Sequence, residues 1–167
     1  MATFVHIAPE DAIPRIRRSG IAPTRLRSPA TAGVFAMPVT RNFSSTHQWV
    51  RELRRFKPGR LCGVYFRIDD DEEVLVGHYS NEPVPMRAAE AVALASGDDV
   101  TGIEAIVPRR IGSKEIAKIS SLPQIVGWRY FPQAKGRWPC GCPSCQYGMF
   151  GGRKLREANE AELNGLS

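Results

Sequence analysis

The stretch GRLCGVYFRIDDDEEVLVGHYS, residues 59–80, contains two apolar segments separated by three aspartates. Residues 59–68 and 72–80 are rich in β-branched and aromatic side chains, a composition typical of strands. The acidic segment between them has the length and polarity of a turn. We therefore expect residues 59–80 to form a β-hairpin within an antiparallel sheet.

The rest of the chain mixes further strands with helices. Strands are predicted at 3–8, 33–40, 101–111 and 122–131, and helices at 9–20, 44–56, 85–96, 112–121 and 153–163. Pro38 suggests an edge strand for 33–40, because proline cannot donate to a sheet ladder. Hairpins outnumber strand–helix–strand crossovers, which favours an α+β fold with a split, mainly antiparallel sheet.

Length and composition indicate one α+β domain with a small appendage. We expect the domain to span residues 1–131 and residues 132–167 to pack on it. The sequence contains no apolar run of about 18 residues and no secretory signal at its start, so we expect a cytoplasmic protein without a membrane partner. The net charge of +6 fits either an anionic partner such as nucleic acid or a merely basic surface.

Three of the four cysteines lie close together in WPCGCPSCQYG, residues 138–148. We call Cys140, Cys142 and Cys145 the cysteine knuckle. Their spacing suits three thiolate ligands of zinc, and Cys62 is the first candidate for the fourth, with His47 and His78 next. Disulfides or unliganded thiols are the alternatives, although a reducing cytosol disfavours disulfides.

A catalytic zinc site of the deaminase type needs an H-x-E motif, which this sequence lacks. We therefore expect the zinc to be structural. It would tie the C-terminal segment, with its basic RKLR (153–156), to the sheet.

Two polar residues stand in apolar predicted strands. His6 lies between Val5 and Ile7, and Glu104 follows Ile103 in GIEAIVP. A carboxylate in such a strand faces either solvent or a cleft where its charge is used, because burial without a partner is unfavourable. His6 alone is compatible with a packed, a solvent-facing or a functional role.

Three segments in this order resemble the ADP-ribosyltransferase family: FVHIAPEDAIPRIRRSGI (4–21), GVFAMPV (33–39) and IEAIVPRRIGSKEIAKI (103–119). The chain looks most like the branch of DNA-modifying ADP-ribosyltransferase toxins and, more distantly, the RNA 2′-phosphotransferases. The resemblance covers residues 3–120 and leaves the cysteine knuckle outside it. It implies the family's fold, with NAD as the substrate.

The resemblance also implies roles for individual residues. By position, His6 would contact the adenosine ribose or hold the backbone beside nicotinamide, and Glu104 would be the catalytic glutamate. One aromatic residue would stack on nicotinamide, and one or more arginines would hold the diphosphate. The aromatic candidates are Phe35, Phe43 and Tyr79, and the arginine candidates are Arg17, Arg18, Arg41, Arg51 and Arg54, with Arg18 and Arg51 foremost.

Two functions therefore compete. The first is an NAD-cleaving ADP-ribosyltransferase with a nucleic-acid acceptor and, as for a toxin, a cognate antitoxin. The second is a non-enzymatic nucleic-acid-binding or adaptor module stabilised by zinc, whose arginines meet phosphates while aromatic residues such as Trp49 stack on bases. Loss of Glu104 would inactivate the enzyme, whereas a binding module would tolerate it.

Overall fold

The computed structural model describes residues 1–25, 32–54, 57, 59–79, 81–98 and 100–126. In this part of the chain, the strands are β1 (Ala2–Pro9), β2 (Thr24–Arg25), β3 (Ala32–Pro38), β4 (Leu61–Ile68), β5 (Glu73–His78), β6 (Val84–Arg87), β7 (Ile103–Val107) and β8 (Ile116–Ser121). The α-helices are α1 (Ile13–Ser19), α2 (Phe43–Thr46), α3 (Val50–Leu53) and α4 (Ala88–Ala95), with short 3-10 turns at Glu10–Ala12 and Ser113–Glu115. None of these helices is long and apolar enough to cross a membrane.

The strands form one sheet in the order β6-β5-β7-β3-β1-β4-β8, with β2 paired to β3. All of its pairings among the described residues are antiparallel. The α+β fold with an antiparallel sheet is thus confirmed.

The hairpin predicted for residues 59–80 is wrong. Strand β4 pairs with β1 and β8, whereas β5 pairs with β6 and β7 in the other half of the sheet. The segment that connects β4 to β5 is hydrogen-bonded to the start of α4, because the Ala88 and Ala89 N–H groups donate to the Glu72 and Asp70 carbonyls, respectively. The short acidic segment therefore carries the chain between the two halves of the sheet.

Three further predictions need correction. Residues 44–56 do not form one helix, because the Gln48 and Trp49 side chains bond to residues 100–103 and the chain turns between α2 and α3. The helix predicted at 112–121 is mainly strand β8, which pairs along the outer edge of β4. Strand β3 is central rather than an edge strand, because it lies between β7 and β1. Pro38 does not interrupt the ladder, since it is the last residue of β3.

Two apolar clusters cover the two faces of the sheet. The larger contains Phe4, Phe66 and Val107 together with α1 and α4 residues such as Ile16 and Ala91. The smaller contains Ile7, Val50, Leu61, Leu122 and Val126, with Trp49 and Leu53 packed against it. The segment that contains α2 and α3 thus lies on the opposite face from α1.

Predictions for the end of the chain fall outside the described residues. These are the second half of the strand predicted at 122–131, the cysteine knuckle and the helix at 153–163. Residues 122–126 are described and are not in a strand.

Candidate functional site

A cavity of about 370 Å³ lies where β1 and β3 part. The two strands pair at Phe4–Pro38 and Val5–Met37, and the ladder goes no further among the described residues. The cavity is lined by both strands, by the α3 segment and by β7, and its residues include His6, Phe35, Trp49, Tyr79 and Glu104. We call it the His6–Glu104 cavity. Its volume lies within the range of about 300–1,000 Å³ typical of ligand pockets.

His6 joins the two strands at this opening. Its Nδ1 lies 2.7 Å from the Phe35 carbonyl oxygen, which can only accept, so Nδ1 carries the proton. Burial lowers the pKa of His6, and this outweighs the opposing effect of the bond to Phe35. The imidazole is therefore neutral at physiological pH, and its Nε2 has a lone pair with no partner among the described residues.

Glu104 reaches the cavity from β7, where it pairs with Gly77 of β5. No described residue forms a hydrogen bond or an ion pair with its carboxyl group, although the side chain is largely buried. Burial raises the pKa of Glu104 to about 7. Near neutral pH the group therefore exists in both the protonated and the ionised form, as suits a general acid or base.

A set of hydrogen bonds fixes the residues that precede Glu104. The buried Gln48 amide accepts from the Gly102 N–H at 2.7 Å and donates to the Val100 carbonyl at 2.9 Å. The Trp49 indole N–H donates to the Ile103 carbonyl at 2.8 Å. We call Gln48 and Trp49, with these three bonds, the β7 clamp.

Gly102 is required within the clamp. Its φ of 80° lies in the left-handed region, and a Cβ atom there would come within 2.5 Å of His78 Nε2. The clamp and this glycine together determine where β7 begins and where the Glu104 carboxyl group lies.

Aromatic rings form much of the remaining wall. Phe35 and Tyr79, two of the three predicted stacking residues, line the cavity, and so does Trp49. The Trp49 and Tyr79 rings lie 5.7 Å apart between centroids. Phe43, the third predicted residue, lines a different cavity. The sequence analysis named Trp49 as a residue that stacks on nucleobases, and the helical spacing of Trp49, Val50 and Leu53 does not distinguish core packing from cavity lining.

The predicted diphosphate-binding arginines lie elsewhere. Arg18 is exposed on α1, and neither Arg18 nor Arg51 lines the cavity. The Arg51 N–H donates to the Val126 carbonyl, while its Nη1 is buried without a hydrogen bond to the described residues. Of the described residues, Lys57 is the cation that lines the cavity. Sequence reasoning missed it, and its position at the end of RELRRFK was the one available signal.

The structure describes only some of the predicted metal ligands. Cys62 is a buried thiol in β4, and the cysteine knuckle lies outside the described residues. His47 is occupied, because its Nδ1 bonds the Phe43 carbonyl and its Nε2 bonds the Tyr65 hydroxyl. Among the described residues, His, Cys, Asp and Glu side chains form no group of three suited to a metal ion. The zinc site stays a prediction.

The His6–Glu104 cavity thus combines a carboxyl group and an imidazole nitrogen that have no hydrogen-bond partner among the described residues with a pair of tilted aromatic rings. Such a site suits a ligand that has a planar ring and that develops positive charge as it reacts. Comparisons of the chain with family models, with curated proteins and with solved structures returned no match.

Proposed function

We propose that this chain is an NAD-dependent ADP-ribosyltransferase that works in the His6–Glu104 cavity. The observation that carries the proposal is that His6 and Glu104 line one cavity although they come from the first and a late strand. Both residues stand at the positions that the resemblance to the family assigns to ribose contact and to catalysis. The antiparallel sheet that parts between β1 and β3 agrees with a fold of the ADP-ribosyltransferase type.

The proposed reaction breaks the bond between nicotinamide and ribose C1. The electron pair of this bond leaves with nicotinamide, and positive charge develops on the ribose. An ionised Glu104 would stabilise this charge more in the transition state than in the ground state, because NAD carries less positive charge on its ribose before reaction. The acceptor nucleophile then forms a bond to C1 and gives up its proton, which the Glu104 carboxylate on the cavity wall can accept.

The other wall residues would orient the substrate. Neutral His6 can accept a hydrogen bond from a ribose hydroxyl at Nε2. The rings of Phe35, Trp49 and Tyr79 offer faces for nicotinamide, and Lys57 offers a charge for the diphosphate. The apolar wall would exclude water, which competes with the acceptor.

Nucleic acid is the acceptor class that we favour. The net charge of +6 and the resemblance to DNA-modifying toxins both support it. On this proposal the protein acts as a toxin in the cytoplasm, is controlled by a cognate antitoxin and has a structural zinc at the cysteine knuckle. The alternative is a non-enzymatic nucleic-acid-binding or adaptor module, in which the cavity has no chemical use.

The test is nicotinamide release from NAD by the wild type and by Glu104→Gln, with and without DNA or RNA. Removing one electrostatic stabiliser of a transition state commonly costs about a hundredfold or more in rate, so we expect at least that loss. Glu73→Gln is the matched control, because Glu73 is an exposed glutamate on β5. Equal release by wild type and Glu104→Gln, or no release by folded wild type under any condition, would overturn the proposal.

A further inference from the structure

A second cavity, of about 400 Å³, lies beside α2 on the face of the sheet that also holds α3. Its floor is formed by three neighbouring strands, since Arg67 pairs with Thr3 of β1 and Tyr65 pairs with Lys118 of β8. Arg41 and Phe43 contribute its rim. We call it the basic cleft. It has no lining residue in common with the His6–Glu104 cavity.

The charges of the basic cleft are all of one sign. Arg41, Arg67 and Lys118 line it, and no aspartate or glutamate does. None of the three cations forms an ion pair with a described residue. By contrast, Arg109, which follows β7, forms ion pairs with Glu72 at 2.8 Å and Glu115 at 2.7 Å. The cleft therefore concentrates positive charge that the described part of the protein does not neutralise, as expected where an anion binds.

The cationic side chains of the basic cleft are of the types that bind phosphate. Two of the three are arginines, whose planar guanidinium groups bind phosphate oxygens through paired hydrogen bonds. Lys118 also lies over the Tyr65 ring, 5.7 Å from its centroid. This cation–π contact holds the lysine side chain above the floor of the cleft.

An aromatic ring is presented beside these cations. Phe43 is 48% exposed, and its ring packs on His47 with 4.1 Å between centroids. His47 is itself fixed, since its two ring nitrogens bond the Phe43 carbonyl and the Tyr65 hydroxyl. A large apolar ring half exposed on a rigid support is a platform on which a nucleobase can stack.

We propose that the basic cleft binds a nucleotide unit, with its phosphate against Arg41, Arg67 and Lys118 and its base on Phe43. The unit is either part of a single-stranded nucleic acid or a free nucleotide, because both present the same phosphate and base. Binding here does not depend on cleavage of NAD, so a chain without that activity would still bind.

The test is fluorescence anisotropy with short labelled single-stranded DNA and RNA, and with AMP and ATP as competitors. Arg67→Glu should weaken binding by tenfold or more and reduce the slope of log affinity against log salt by about one. Phe43→Ala should also weaken binding by roughly tenfold. Arg15→Glu is the matched control, since it makes the same charge change at an exposed position on α1.

The outcomes separate the two sources of nucleotide. If AMP or ATP displaces the labelled oligonucleotide at concentrations similar to those at which unlabelled oligonucleotide does, the cleft is a free-nucleotide site. If neither nucleotide displaces it, the cleft is a strand-binding site. Equal losses with Arg67→Glu and Arg15→Glu, or no binding of any probe by the wild type, would overturn the proposal. Lys118→Glu repeats the test if Arg67→Glu does not fold. Glu104→Gln should bind normally, which separates this proposal from the transferase.

Discussion

Glu104 should lower the stability of the folded protein above pH 5, and Glu104→Gln should remove this effect. Burial raises the pKa of Glu104 from 4.5 to about 7, and no described residue compensates with a hydrogen bond. Between these two values the unfolded chain has lost the proton while the folded chain keeps it. The unfolded state therefore binds fewer protons, and the free energy of unfolding falls as the pH rises.

The magnitude follows from the size of the shift. One pKa unit corresponds to about 1.4 kcal/mol, so the change from 4.5 to about 7 sets an upper limit of about 3 kcal/mol above pH 7. Solvent reaches part of the side chain and screens the effect, so we expect about 1 to 3 kcal/mol. At about pH 5 roughly a quarter of this penalty is present, because the pH lies only about half a unit above the pKa of 4.5 of the unfolded carboxyl group, and the penalty grows with each further unit up to about pH 7.

Urea unfolding of wild type and Glu104→Gln at about pH 5 and pH 8 measures this difference. The variant should be more stable by about 1 to 3 kcal/mol at pH 8, and the two proteins should approach each other at pH 5. Burial lowers the pKa values of His6 and His47, so the unfolded chain binds more protons than the folded chain at these two residues. Their effect on the free energy of unfolding therefore has the opposite sign, because it lowers stability as the pH falls. Both histidines are present in both proteins, so their contribution cancels.

Glu73→Gln reports the effect of the amide substitution at an exposed site of β5. A stability difference for Glu104→Gln that is the same at both pH values would refute the reasoning, because it could not arise from a shifted pKa. A less stable variant at pH 8 would show that the carboxylate has a stabilising partner.

Three further predictions concern the clamp, the histidine and the knuckle. Gln48→Leu leaves the Val100 carbonyl and the Gly102 N–H, both just before β7, without their side-chain partner. It should therefore lower the free energy of unfolding, measured in urea, by about 2 to 4 kcal/mol. It should also reduce nicotinamide release, because Glu104 would be misplaced. His6→Asn keeps a donor for the Phe35 carbonyl but lacks Nε2, so it should fold like the wild type and show a KM for NAD raised about tenfold. Purified protein should contain about one zinc per chain by metal analysis, and Cys142→Ser should lose the metal and precipitate or unfold.

Local signals in the sequence located several elements correctly. Strand β1 and the helical segment after it follow from an apolar run, acidic residues in the first turn and Gly20 at the end, where the φ of 74° requires glycine. Pro14, which counts against a helix interior, lies in the first turn of α1, where its missing N–H has no intrahelical partner in any case. These features depend on neighbours in the sequence and so can be predicted from it.

The basic cleft could not be predicted because it depends on the pairing of strands. Lys118 meets Tyr65 only because β8 pairs with β4, and sequence patterns predicted a helix where β8 lies. Residues 59–80 likewise have the composition of a hairpin, and only the competition of β1 and β8 for β4 excludes it. Phe43 lines the basic cleft and not the His6–Glu104 cavity for the same reason, because its position relative to Trp49 depends on where the chain turns between α2 and α3.

Unlike the basic cleft, the candidate site at Glu104 could be recognised in the sequence, because a carboxylate in an apolar strand is unusual in the sequence and its burial sets the pKa of Glu104 in the structure. A carboxylate in an apolar strand is unfavourable, and in the folded protein burial without a hydrogen bond raises its pKa to about 7. Glutamine would fill nearly the same space without this penalty, so packing does not explain the glutamate. If Glu104→Gln both stabilises the protein at pH 8 and abolishes nicotinamide release, then the carboxylate lowers stability where chemistry requires it. If it stabilises the protein and changes no activity, the cavity has another use, and the basic cleft becomes the functional centre to study first.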